Sequence, residues 1–270
     1  MDLNEIKNRL NNLQAKAPQG ERKNLFWKPS VGKQTVRIVP NKYNQSNPFT
    51  EMFFYYGIGN RVMVSPLNFG EKDPIAEFAK QLRQTSDKDN WRLAKKLDAK
   101  MRIFAPVVVR GEEGEGVKLW QFGKEIYEAF LQMAADEEIG DFTDVANGRD
   151  IKLNTVGPES TGTPYNRTTI GPSLKTTPLV ANADEVTQML ENQPNPKEIF
   201  KRYTFDEMKA ALQEWLEPED EAQEGDIIDD DKVISSTPQQ NYSVKTPAEK
   251  VSKTEKFDSL FDDDSDDLPF

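Results

Sequence analysis

Basic and aromatic side chains are interleaved along several predicted strands of this 270-residue chain. Cations attract phosphate groups, and flat rings stack on nucleobases without regard to base identity. Side chains of these two kinds along neighbouring strands are typical of a groove that holds single-stranded nucleic acid. The candidate contact residues are Arg37, Lys42, Tyr43, Tyr56, Arg61, Lys95, Lys96, Lys100, Arg102, Phe104, Trp120, Tyr165 and Arg167.

Burial in a core is the competing interpretation for the aromatic candidates. Side chains alternate along a strand, so two of the four aromatics at 53–56 should point inward and two outward. Trp120 and Phe122 are two residues apart and should share one face. Arg37 lies between two apolar strand residues, so it should point to the opposite face, which we expect to be polar and to bind the ligand.

No enzyme signature is present in the sequence. There is no Cys and no His, which excludes disulfides, thiolate chemistry, imidazole catalysis and zinc sites of the usual kind. Phosphate-binding glycine loops and nucleophile elbows are also missing. The Asp-rich run at 226–231 has no ordered oxygen cage to hold Mg²⁺. We therefore expect a non-enzymatic protein without a metal or other cofactor.

Charge is strongly segregated along the chain. Residues 1–110 hold 20 Lys and Arg against 10 Asp and Glu, whereas residues 217–270 hold 5 against 17. The basic part suggests a surface for a polyanion, and the acidic part, with no apolar periodicity, is predicted to be a disordered tail. No apolar run approaches the length of a membrane span, so we expect a soluble, cytoplasmic protein.

The order of predicted elements indicates an α+β, mainly β protein with a small barrel and helical insertions. An amphipathic helix is expected within 1–23, a β-rich core over 24–216, and a helical subdomain near 65–100. Within that subdomain, Asp73 and Pro74 are the N-cap and first residue of a predicted helix. Residues 217–270 form the predicted acidic tail.

The chain resembles the helix-destabilising single-stranded DNA-binding proteins of T4-like phages over roughly residues 24–215. The resemblance is carried, in order, by FWKPSVGKQTVRIVPNKYNQSNPF, GNRVMVSP and FAPVVVRGEEGEGVKLWQFGKEIY. It implies an OB-fold core, a five-stranded Greek-key barrel, whose cleft binds single strands. It also implies that Arg37, Phe104, Trp120 and Tyr165 occupy cleft positions of the family.

One departure from the family concerns its structural zinc site, which uses one His and three Cys. In this sequence Ser65 stands near the first Cys position, and Ile75 and Phe78 stand near the positions of a Cys-x-x-Cys pair. Ile75 and Phe78 are one helical turn apart and can pack together. We expect a hydrophobic cluster to replace the metal.

The tail ends in a run of aspartates followed by Leu-Pro-Phe, and it resembles the tips of bacterial single-stranded DNA-binding proteins. The Asp run can act as a phosphate mimic that visits the basic cleft, and the Phe can enter a pocket on partner enzymes. The expected partner-binding residues are Asp262, Asp263, Asp264, Asp266, Asp267, Leu268, Pro269 and Phe270.

Together these features predict a sequence-independent protein that coats single-stranded DNA cooperatively in phage replication, recombination and repair. Its expected partners are DNA, neighbouring copies contacted through the N-terminal segment, and replication and recombination proteins bound by the tail. The resemblance places it in the cytoplasm of the infected bacterial host. The alternatives are an RNA-binding OB-fold regulator or nucleic-acid chaperone, and a nuclease with an unrecognised metal site.

Overall fold

The computed structural model of the chain describes residues 25–59, 61–216 and 257, so the predictions for residues 1–23 and for most of 217–270 lie outside the described residues. The chain divides into two compact units. The sheet unit comprises the described residues up to Tyr56, then Val62–Glu71 and Ala99–Tyr203. The helical unit comprises Gly57–Arg61, Lys72–Asp98 and the described residues from Thr204 onward.

Eight strands in the described residues form one mixed sheet. They are β1 (Phe26–Trp27), β2 (Gly32–Ile38), β3 (Thr50–Ile58), β4 (Arg61–Val64), β5 (Lys100–Val109), β6 (Lys118–Phe122), β7 (Arg149–Val156) and β8 (Arg167–Thr176). Their order is β1-β6-β5-β2-β7-β8, and β3 pairs with both β4 and β5. The expected α+β class with a mainly β core is confirmed, with eight strands in the described part where five were expected.

Strand β5 organises the sheet because it pairs along both of its edges. On one edge β6 runs antiparallel to it, with Ala105 opposite Trp120. On the other edge β3 pairs with its first half, where Phe104 lies opposite Thr50, and β2 pairs with its end, where Val107 lies opposite Ile38. The strands β3 and β2 therefore follow one another along the same edge of β5.

Helices occur in both units. The helical unit contains α1 (Pro74–Gln84), α2 (Lys88–Lys96) and α7 (Phe205–Leu216). The sheet unit contains α3 (Lys124–Ala134), α4 (Pro158–Thr161), α5 (Ala183–Glu191) and α6 (Pro196–Ile199). It also contains 3-10 turns at Pro66–Phe69 and Glu113–Glu115. As predicted, the Asp73 side chain caps α1 by accepting from the backbone amides of Ile75 and Ala76. None of the helices in the described part of the chain has the length and apolar character needed to cross a membrane.

An aromatic core lies between the sheet and α3. Trp120 and Phe122 do share a face, with ring centroids 4.8 Å apart, and both contact Phe130 of α3. Trp27 of β1 meets Trp120 edge to face at 5.5 Å. Trp120 is 1% exposed, so in this conformation its indole is a core residue and is not accessible to DNA.

A buried ion-pair network joins β2, β5 and β7. Arg37 of β2 has no exposed surface, and its Nε donates to Asp150 Oδ1 of β7 at 2.9 Å. Its other nitrogens donate to the carbonyls of Asp144 and Thr177. Arg110, which follows β5, also donates through Nε and Nη2 to Asp150 Oδ1. In this conformation Arg37 is therefore not accessible to DNA, because Arg37 and Arg110 share the carboxylate of Asp150 within the fold.

The loop before β7 must pass close to this network, and a glycine allows it. A Cβ on Gly148 would lie 2.7 Å from Arg37 Nη1 and 2.2 Å from the Asp144 carbonyl oxygen. Burial lowers the pKa of the Arg37 guanidinium, and the neighbouring Asp150 charge opposes this shift. The carboxylate thus offsets the cost of burying the cation.

Replacing Asp150 with Asn should destabilise the protein by about 3–5 kcal/mol, because it leaves a buried arginine without its counter-ion. Urea unfolding followed by circular dichroism gives the midpoint. The control is Glu125→Gln, which removes the exposed ion pair with Arg167 and should leave the midpoint almost unchanged. Equal midpoints for the two variants would show that the network does not stabilise the fold.

Candidate nucleic-acid interface

A cation and an aromatic ring are already paired at the exposed beginning of β5. The Arg102 guanidinium lies 5.4 Å from the ring centroid of Tyr56, and its Nε donates to the Tyr56 hydroxyl at 3.3 Å. Lys100 lies two residues before Arg102 on the same face of β5 and is exposed. The ring of Tyr56 is 39% exposed, so it retains a surface on which a base can stack.

A cluster of buried apolar side chains packs next to the Tyr56–Arg102 pair. Met52, Phe54, Val64, Phe104 and Leu119 are buried together on one face of the sheet, and Phe54 lies 6.3 Å from Tyr56 between centroids. Phe104 has no exposed surface. In this conformation its ring is therefore not accessible to DNA and belongs to the buried layer on which the exposed aromatics rest.

Three half-buried rings lie at the edge of this cluster, from Phe26, Phe69 and Phe200. Phe200 contacts Phe54 at 5.0 Å and Phe26 at 6.0 Å between centroids. These rings are partly covered by the protein and partly open. They extend the aromatic surface beyond Tyr56.

Two cations that were not predicted from the sequence, Lys201 and Arg202, lie beside aromatic rings. The Arg202 guanidinium is 3.7 Å from the centroid of Phe69, and Lys201 Nζ is 4.4 Å from that of Tyr203. Glu71 lies 4.0 Å from Arg202 and neutralises part of its charge. The stretch FKRY at 200–203 carried the same basic and aromatic signal as the strands, but it lies in a loop between helices. We define the aromatic-basic surface as Phe26, Tyr56, Phe69, Lys100, Arg102, Phe200, Lys201, Arg202 and Tyr203.

Two of the four aromatics at 53–56 are buried and two are exposed, as expected, but their exposure does not alternate along the strand. Phe54 and Tyr55 are each 2% exposed, whereas Phe53 and Tyr56 are 38% and 39% exposed. The sequence left open which pair faces outward. Two consecutive residues, Phe54 and Tyr55, are both buried, so both faces of β3 are covered at this point.

The remaining candidates form pairs of their own. Lys42 Nζ donates to the Glu191 carbonyl, and the Tyr43 hydroxyl donates to the Gln193 carbonyl, while the Tyr43 ring stays half exposed. Arg167 is paired with Glu125 at 2.7 Å, and Tyr165, two residues before it, is 41% exposed. All of these groups can still meet a ligand at the surface.

Three candidates belong to the helical unit. Lys95 and Lys96 are exposed in the last turn of α2, where positive charge also stabilises the helix dipole. Arg61 is exposed, and its Nε donates to the Gly59 carbonyl.

The residues at the expected zinc positions do not fit a metal. Ile75 and Phe78 are buried in α1, and their side chains carry no lone pair to donate. The Ser65 hydroxyl accepts from the Leu67 amide at 3.3 Å and caps a 3-10 turn. Within the described residues, no group of three or more His, Cys, Asp or Glu side chains could hold a metal ion.

Exposed aromatic rings beside cations are the combination that proteins use to bind single-stranded nucleic acid. The family described as gp32 DNA binding protein like matches residues 30–217, which is more than half of the chain. The chain therefore belongs to this family and is a single-stranded DNA-binding protein, as the resemblance in its sequence indicated. No curated protein matches the chain significantly.

Replacing Tyr56 or Arg102 with Ala should weaken binding to a short oligo-dT by roughly five- to a hundredfold, since a stacked base contributes about 1–3 kcal/mol. Fluorescence anisotropy of the labelled oligonucleotide measures the affinity. Loss of Arg102 should also make the plot of log affinity against log salt concentration less steep, by about the slope that one phosphate contact contributes.

Lys152→Ala is the charge-matched control, because Lys152 is exposed on β7 and is not part of the aromatic-basic surface. If Lys152→Ala weakens binding as much as Arg102→Ala, the surface is not the binding site.

Proposed function

We propose that this protein coats single-stranded DNA cooperatively and without sequence preference, in phage DNA replication, recombination and repair. The observation that carries the proposal is the Tyr56–Arg102 pair, which offers a ring for stacking and a cation for phosphate at one place. The face of a ring stacks on any base, and a cation contacts a phosphate whatever base is attached to it. Binding of this kind accepts every base.

We further propose that the protein is not an enzyme and that its helical unit folds without zinc. The supporting observation is the chemistry of Ile75 and Phe78, which cannot coordinate a metal. Stoichiometric zinc in the purified protein would contradict this.

The segments outside the core have separate proposed roles. Residues 1–23 contact the neighbouring copy on DNA, because an amphipathic segment needs an apolar partner. Residues 262–270 bind replication and recombination proteins and compete with DNA for the basic surface through their aspartates. The family match supports DNA binding by the core, and the charge segregation of the sequence supports the role of the tail.

Titration of labelled dT oligomers of increasing length at two salt concentrations tests the function. Affinity should fall steeply with salt, and removing residues 1–20 should weaken binding to long strands far more than to a short one. A label on the DNA is preferable to intrinsic fluorescence, because the two tryptophans of the sheet unit, Trp27 and Trp120, are buried. Salt-independent binding would refute the proposal, and equal losses on both lengths would refute the role of the N-terminal segment. Preference for a folded RNA over oligo-dT would instead support an RNA regulator.

The tail is tested by replacing Asp262, Asp263, Asp264, Asp266 and Asp267 with Asn. Affinity for oligo-dT should rise, and most at low salt, because an intramolecular competitor loses its charge and salt screens this competition. The substitution keeps the rest of the tail intact, which a deletion does not. Unchanged affinity at low salt would contradict the competition.

A further inference from the structure

Phe257 is buried although it lies within the predicted disordered tail. Its side chain is 2% exposed, and its ring centroid is 5.9 Å from that of Phe78 at an interplanar angle of 70°. Phe78 is itself 1% exposed in α1, and both rings belong to the helical unit. The prediction of disorder over 217–270 did not include this contact.

The helical unit has a physical reason to recruit such a ring. The three helices that the structure bounds in this unit contain 11, 9 and 12 residues, and helices of this length are marginal without tertiary packing. The buried side chains of α1 are Pro74, Ile75, Phe78, Ala79 and Leu82, of which Phe78 is the largest. An aromatic partner against Phe78 adds a large apolar area to a small core.

We propose that α1 carries a docking site for the C-terminal segment of the same chain, and that Phe257 is its anchor. The anchor lies about forty residues beyond the end of α7 at Leu216. The entropy cost of closing a loop rises only slowly with loop length. The burial of a single aromatic ring can therefore offset the cost of closing this loop. Because only one ring is buried, we expect the segment to dock reversibly.

Docking of Phe257 would also bring the point of attachment of the acidic residues close to them in sequence. Asp258 follows Phe257 directly, and the aspartates at 262–267 are five to ten residues further along. A tether of that length confines them to a much smaller volume than a tether that begins at Leu216. The docking site thereby sets the local concentration of the acidic run around the protein.

The absence of Cys from the sequence allows a direct test by paired spin labels. Gln81, which is exposed on α1, and Ser259 are each replaced with Cys and labelled in the full-length chain. The docked chain should give a short, narrow distance distribution, and Phe257→Ala should broaden it. Phe261→Ala is the matched control, since it removes the same ring four residues further along, and it should leave the distribution narrow.

Hydrogen exchange of the amides in 74–96 provides the second measurement. Exchange should be on the order of tenfold faster in Phe257→Ala than in Phe261→Ala, because truncating a buried ring lowers the stability that limits opening. Phe257→Leu keeps an apolar side chain and should fall between the two, which keeps the test informative if the Ala variant unfolds the helices.

Two results would overturn the proposal: a broad distance distribution in the otherwise unmodified chain, or equal exchange in the two Ala variants. Mixing chains that each carry one label tests for docking between copies. A short distance in that mixture would show that the site binds Phe257 of a second copy, which would also overturn the intramolecular assignment.

Discussion

The sheet depends on the ion pairs that the Asp150 carboxylate forms with Arg37 and Arg110. Through them β7 is joined to β2 and to the end of β5, and the two guanidinium groups bring in the carbonyls of residues 144 and 177–179. These partners come from distant parts of the sequence, so the network fixes the loops around the sheet as well as its strands. Within the described residues no buried side-chain nitrogen or oxygen lacks a partner, as a network of buried charge requires.

Strand β5 connects this network to the aromatic-basic surface. Its end leads into the buried ion pairs at Arg110, and its beginning presents Lys100 and Arg102 to solvent. Between them, seven consecutive residues from Ile103 to Val109 are buried, because both faces of the strand are covered. Arginines near the two ends of one strand therefore have different roles, and only the environment of each distinguishes them.

Local rules predicted the elements, since caps, alternation and turn residues act over a few positions. The Asp73 cap and the shared face of Trp120 and Phe122 both followed from neighbours in the sequence. The burial of Arg37 could not be derived in this way, because its counter-ion lies 113 residues away. The same limit applies to the aromatic-basic surface, of which Tyr56, Lys100 and Arg102 were predicted.

The missed members of that surface show what a strand-based search leaves out. Lys201 and Arg202 lie outside any strand, and their rings and cations come together only when the chain folds back onto the cluster around Phe54. Phe257 was missed for a related reason, since it lies among charged residues and its ring partner is far away in sequence. Composition describes the average character of a segment, and a single aromatic residue can still depart from it.

The pairing of rings with cations before any ligand binds has a consequence for how the protein holds DNA. Arg102 and Arg202 lie over Tyr56 and Phe69, so part of the side-chain entropy that binding would cost is already lost in the free protein. The stacking contribution depends little on salt, whereas the phosphate contribution weakens as salt rises. A surface built from both kinds of side chain should keep some affinity at high salt.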